Sequence, residues 1–124
     1  MHARAANIYR TVDLESAPKS QILVRLFDRF SRDIGDAHAA ITRGDIAAKA
    51  SAIGHASQIV VQLRAALDHK AAPELCAQLD ALYGYVVDQL SVANAKLTTA
   101  PLDHATRVMV KLGDAFRRAC ERAR

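Results

Sequence analysis

Apolar side chains recur at alternating spacings of three and four along four stretches of this chain, and Pro18, Gly44, Pro73 and Pro101 mark the divisions between them. The first stretch runs from Ser20 to Arg43. At 100° per residue, Leu23, Leu26, Phe27, Phe30, Ile34, Ala37 and Ile41 fall within about 60° of one line, while Arg25, Arg29, Arg32 and Asp36 lie opposite. That pattern predicts a strongly amphipathic helix closed by Gly44 as its C-terminal cap. Asp28 and Arg32, four apart with the acid first, are expected to pair along its surface. Asp45 is placed to cap a second helix, whose predicted core line is Ile46, Ala50, Ile53, Ser57, Val60, Leu63 and Leu67. Pro73 suits the first turn of a third, with Leu75, Leu79, Leu82, Val86, Leu90, Ala93 and Leu97 inward. Thr98 to Pro101 breaks the pattern before a fourth line of Leu102, Ala105, Met109, Leu112, Phe116 and Ala119.

Helices of this length are each about 33–38 Å long at 1.5 Å rise per residue. Their connections are a few residues long, which makes consecutive helices antiparallel neighbours. The fold expected is therefore all-α: an antiparallel up-down-up-down four-helix bundle over residues 18–124, preceded by a short leader, residues 1–17. The leader carries Ile8, Tyr9, Val12 and Leu14 among polar residues. These are too many apolar side chains for an idle tail and too few for an isolated helix.

Composition agrees with helices. Alanine, the best helix former and a poor strand former, fills one fifth of the chain. The net charge of +4 comes from 17 basic and 13 acidic residues, with a local basic cluster of Arg107, Lys111, Arg117, Arg118, Arg122 and Arg124. A nucleic-acid reader interleaves aromatics with such a cluster; most of the three Tyr and three Phe here lie at core-like spacings instead, so no nucleic-acid partner is expected. No stretch reaches the length of a membrane span, and Met1 to Arg10 lacks the apolar core of a signal peptide, so a cytoplasmic protein without membrane insertion is expected. Cys76 and Cys120 form no metal-binding spacing and read as small buried apolar residues.

Little in the sequence argues for catalysis, and neither a cofactor nor a metal is expected. A di-iron bundle needs four Glu with paired Glu-x-x-His steps; this chain has three, Glu15, Glu74 and Glu121, none with His three residues on. A histidine phosphotransfer domain is the serious alternative of the same size, with His104 or His55 as the candidate. Such a domain needs an exposed His followed at helical spacing by Lys and Gly. His2, His38, His55, His69 and His104 all lack that context; Arg107, three residues after His104, is the nearest approach. A third reading is a generic helical dimerisation module.

Several apolar residues fall outside the four core lines. Ile59 and Val61 flank Val60; Tyr83, Val87 and Cys76 widen the third helix on one side, Tyr85 and Val92 on the other; Val110 points away from its core line. Bundle helices touch two neighbours, which absorbs part of this surplus. The rest suggests a surface groove for an apolar partner. Gly84, in mid-helix, reads either as tolerated strain or as a point of close approach by another backbone.

Strings in order along the chain carry a resemblance. Tyr9-Arg-Thr-Val12-Asp-Leu-Glu15-Ser16-Ala17, Leu26-Phe27-Asp28, Gly44-Asp45-Ile46, Leu63-Arg-Ala-Ala-Leu67-Asp68, Ala81-Leu82-Tyr83-Gly84-Tyr85 with Ala93-Asn94, and Asp114-Ala115-Phe116 together resemble the flagellar secretion chaperones of the FliS type. Arg29 stands where that family usually has Gly, Pro18 directly follows Ala17, and Phe116 stands for a usual Trp. The resemblance implies a chaperone, not an enzyme, that binds the disordered C-terminal segment of flagellin. It implies that the chaperone prevents premature polymerisation and delivers its cargo to the type III export gate. The export-gate protein and the anti-sigma factor are further candidate partners, and a homodimer of the free chain is left open. The expected partner-binding residues are Ile8, Tyr9, Ile59, Val61, Tyr83, Tyr85, Val87 and Asn94. By the same resemblance the leader lies over the bundle and is displaced by cargo, with Ile8 and Tyr9 as a lid.

Overall fold

The structure, a computed structural model, describes Ile8, Tyr9 and residues 17–123. His2, Val12, Leu14 and the other residues of 1–7 and 10–16, with Arg124, lie outside the described residues. Four helices follow in order: α1 (Ala17–Arg43), α2 (Ile46–Ala65), α3 (Pro73–Lys96) and α4 (Ala100–Ala123). α1 packs on α2 and α4, and α3 packs on the same two helices, so the four form a closed square with the diagonals apart. This is the expected four-helix bundle.

The local signals act as the sequence predicts. Gly44 takes a left-handed φ of 74°, which ends α1. The Asp45 side chain accepts a hydrogen bond from the Ala48 amide at 3.0 Å and starts α2. Pro73 opens α3. α1 starts three residues before the predicted Ser20. Leu97, expected on the α3 core line, instead terminates that helix in a left-handed conformation at φ 53° and is exposed.

The core lines of α1 and α4 are as predicted. Leu23, Phe27, Phe30, Ile34 and Ala37 are buried on α1, and Leu102, Ala105, Met109 and Phe116 on α4, with Leu26, Ile41 and Leu112 packed at the edge. Phe27 stacks on Phe116 with ring centroids 5.7 Å apart. Close approach of α1 and α4 is possible because Gly113 has no side chain: a Cβ there would lie 3.3 Å from the Phe27 ring.

The core lines of α2 and α3 are rotated from their predicted positions. On α2, Ile46 and Ala50 are exposed, while Lys49, Ala52, Ala56 and Ile59 are buried. On α3, Leu75 and Leu82 are exposed, while Cys76 and Tyr83 are buried. Relative to prediction the inward face turns by about 60° on α2 and about 35° on α3 at 100° per residue. Lys49 is tolerated inside because its Nζ donates to the Asn94 carbonyl at 2.8 Å, in the last turn of α3, where a cation is favoured.

The expected Asp28–Arg32 pair is replaced by a longer-range contact: Asp28 meets Arg117, bridging α1 to α4. Arg117 also holds Asp114 at 3.1 Å. Both cysteines are free and buried, as expected.

Candidate partner-binding surface

Ile8 and Tyr9 run between α1, the end of α2 and α3, and they are as buried as the core, 1% and 3% exposed. The backbone fastens first: Tyr9 pairs with Leu67 as an isolated antiparallel bridge, and the Asp68 amide donates to the Ile8 carbonyl at 2.6 Å. Asp68 sits in the connection after α2, where its amide is outside any helix and needs such an acceptor. The Tyr9 ring stands edge-on to Phe116 at 5.4 Å, a favourable geometry for aromatic quadrupoles. Its hydroxyl forms a hydrogen bond with the hydroxyl of Tyr83, itself fully buried. Burial pushes both phenols up, Tyr83 to about 12 and Tyr9 further, so both are neutral over the physiological range. Burial also raises the Cys76 thiol, whose Sγ contacts the Asp68 carbonyl at 3.3 Å.

Beside Tyr9 opens a groove of about 540 Å³ between α1 and α2, floored by Leu23 and Leu63 and flanked by Ile22, Leu26 and Ala66. Ile22 is half exposed on its bank. Ile22 stands outside the core line that the spacing predicts for α1. The available signal was that it is a bulky apolar residue on α1 outside the predicted core line, like those noted on the other helices.

The expected contact residues divide into three groups. Ile8, Tyr9, Ile59 and Tyr83 are interior in the free chain. Val87 is half-buried and packed against the core. Val61 and Tyr85 are exposed, at 48% and 43%, and Asn94 is exposed while its carbonyl holds Lys49. Val61 lies on α2 and Tyr85 on α3, and neither lines the groove beside Tyr9. The exposed apolar set is completed by Ile46, Leu75, Leu82, Leu97 and Val110.

Gly84 is a point of close approach, but a side chain arrives there rather than a backbone. The Arg64 guanidinium crosses from α2, and a Cβ on Gly84 would lie 3.2–3.4 Å from it. Arg64 then reaches Asp80 through two bonds, 2.8 and 3.1 Å, which hold the Asp80 carboxyl below its usual range. The candidate phosphotransfer histidines differ in setting. His104 is partly buried with Nδ1 2.9 Å from Gln89 Oε1, and His55 is exposed on the bank of the α1–α2 groove. Among the described residues no group of three or more His, Cys, Asp or Glu is arranged to hold a metal, and no helix is long and apolar enough to cross a membrane.

Fold and surface together define a helical bundle with an apolar groove beside a docked piece of its own leader. The family model for flagellar protein FliS matches residues 1–123, and the chain belongs to the FliS family. It is similar to the flagellar secretion chaperone FliS of Salmonella typhimurium, 26% identical across 98% of this chain and 93% of that protein. It is also similar to the flagellar secretion chaperone FliSB of Pseudomonas aeruginosa, 29% identical across 88% of this chain and 90% of the relative. A third relative, the flagellar secretion chaperone FliS of Vibrio cholerae, is 30% identical over 63% of this chain and 57% of its own length.

Proposed function

We propose that this chain is a cytoplasmic flagellar secretion chaperone that binds the disordered C-terminal segment of flagellin, keeps it from polymerising early and delivers it to the export gate. The observation that carries the reading is the family match along the whole chain, from residue 1 to residue 123. The physics is compatible with it. A rigid bundle with grooves can order an amphipathic segment by burying its apolar face. Burial of about 1,000–3,000 Å² offsets the entropy of ordering such a segment.

In this reading Ile8 and Tyr9 act as a lid on the apolar surface. Their complete burial, the Asp68–Ile8 bond and the hydroxyl contact between Tyr9 and Tyr83 support it. A lid that must move before cargo binds lowers the apparent affinity by the fraction of chains that are open. It also covers interior side chains such as Tyr83, which become contact residues only once it lifts.

Sedimentation of the protein with a synthetic flagellin C-terminal peptide tests the function directly. A stable one-to-one complex is expected, and the peptide should lose its polymer-forming contacts. Failure of any complex to form at micromolar concentrations refutes the proposal. Deletion of residues 2–14 should speed peptide association and promote self-association of the free protein. Slower association with an unchanged monomer refutes the lid.

A further inference from the structure

The outer face of α4 carries a line of cations that the bundle itself does not use. Arg107, Lys111, Ala115, Arg118 and Arg122 are spaced four, four, three and four apart, the spacing of one straight seam on a helix. All five are exposed. At 1.5 Å rise per residue the seam is about 22 Å long. Among the described residues none of its four cations forms an ion pair. Arg122 Nε donates to the Arg118 carbonyl at 3.3 Å, within the helix. Arg117 differs: it is turned toward α1 and holds Asp28 and Asp114.

The line works against the isolated helix. Arg107 with Lys111, and Arg118 with Arg122, are like charges four apart, which repel. The helix dipole favours Arg122 in the last turn of α4, and its effect fades well before Arg107 and Lys111. The outward line of α1, by comparison, runs Arg25, Arg32, Asp36 and so carries its own acid. On α4 the acids lie beside the line. Asp103, Asp114 and Glu121 sit about 60° round the helix on the side toward α1. There Asp103 approaches His38 at 3.9 Å and Asp114 holds Arg117 at 3.1 Å. A flat anionic bilayer, or a duplex with two phosphate strands, is wide enough to meet these acids as well as the cations. A single helix about 10–12 Å across lies on the cations alone.

We propose that the outer face of α4 is a docking site for an acidic helix of a second protein. Four carboxylates on one face of that helix pair with Arg107, Lys111, Arg118 and Arg122. A small apolar residue between its two acidic pairs packs on Ala115, where the short side chain lets the two backbones come close. None of the five seam residues lines the groove beside Tyr9, so the site is separate from that groove and does not depend on the chaperone reading.

Calorimetry on the full-length chain with two synthetic helical peptides of equal composition tests this. In one, Glu residues follow the seam spacing; in the other, they are scattered round the helix. The seam peptide is expected to bind at least tenfold more tightly than the scattered one. Its affinity should fall at least tenfold as salt rises from about 0.05 to about 0.5 M. The double variant Lys111→Gln/Arg118→Gln is expected to lose at least tenfold in seam-peptide affinity. It should melt like the wild type, because both side chains are exposed. Its affinity for a flagellin C-terminal peptide should stay within about twofold of the wild type. Equal binding of the two peptides, or unchanged seam-peptide binding by the variant, means diffuse charge attraction and overturns the site. A DNA duplex or phosphatidylglycerol vesicles bound more tightly than the seam peptide at the same salt also overturn it. A matching loss of flagellin-peptide affinity in the variant makes the line part of the cargo surface and overturns it too.

Discussion

Removing the hydroxyl of Tyr9 probes a buried side-chain hydrogen bond between the leader and the bundle. Tyr9→Phe keeps the ring against Phe116 and deletes only the oxygen that bonds to Tyr83. Tyr83 is 0% exposed, so its hydroxyl is then stranded away from water. Stranding one buried hydroxyl costs about 1–3 kcal/mol, and Tyr83→Phe should cost a similar amount by stranding the other. The double variant replaces both partners with apolar rings of the same shape and should cost less than either single change. The cycle is thus strongly non-additive, with a coupling of about 1–3 kcal/mol. Urea denaturation of the four proteins measures it. The Asp68 amide, which donates to the Ile8 carbonyl, supplies a local readout by hydrogen exchange. Its protection should fall in Tyr9→Phe and recover in the double variant. The leader can also undock without global unfolding, which limits the loss seen in urea to the docking free energy of the leader. Additive costs in the cycle, together with unchanged protection at Asp68, would refute the shared buried bond.

Stability should also fall in alkali. Both phenols are raised above the ordinary value of 10.0, so the unfolded chain releases these protons before the folded chain does. Their contribution is intact below pH 10 and is lost as pH climbs from 10 toward 12, by about 1.4 kcal/mol per unit per tyrosine; Tyr9→Phe with Tyr83→Phe should remove that slope in pH-dependent urea melts. The helix-interior glycines should separate by their surroundings. A Cβ at Gly35 or Gly54 meets nothing within 4 Å, so alanine there should raise stability by about 0.5–1 kcal/mol in thermal melts, whereas Gly113→Ala should lower it because the Phe27 ring must shift. Leu90→Ala, at a fully buried position, should cost about 2–5 kcal/mol, while Leu82→Ala, at 38% exposure, should cost under about 1 kcal/mol; equal losses in denaturant melts would contradict the observed rotation of α3.

The number of helices, their limits to within a few residues and the inward faces of α1 and α4 follow from the order of residues alone. In those two helices charge and hydrocarbon are cleanly segregated, so only one orientation buries the apolar stripe without burying Arg25, Arg32 or Lys111. Gly44, Asp45 and Pro73 act through local backbone chemistry that needs no neighbours. The resemblance in short strings placed the family, because such strings also report local residue choices. Tertiary structure alone decided the faces of α2 and α3. Apolar residues surround much of α2, including Ile46, Ile53, Ile59, Val60, Val61 and Leu63, so several rotations bury nearly equal area. The choice falls to contacts distant in sequence: Lys49 to the Asn94 carbonyl, Arg64 across Gly84 to Asp80, and Tyr83 to Tyr9. None of these pairs has a periodic signature, since each joins residues of different elements. The same holds for Asp33, which reads as one more charged residue on α1 and yet is 3% exposed in the fold.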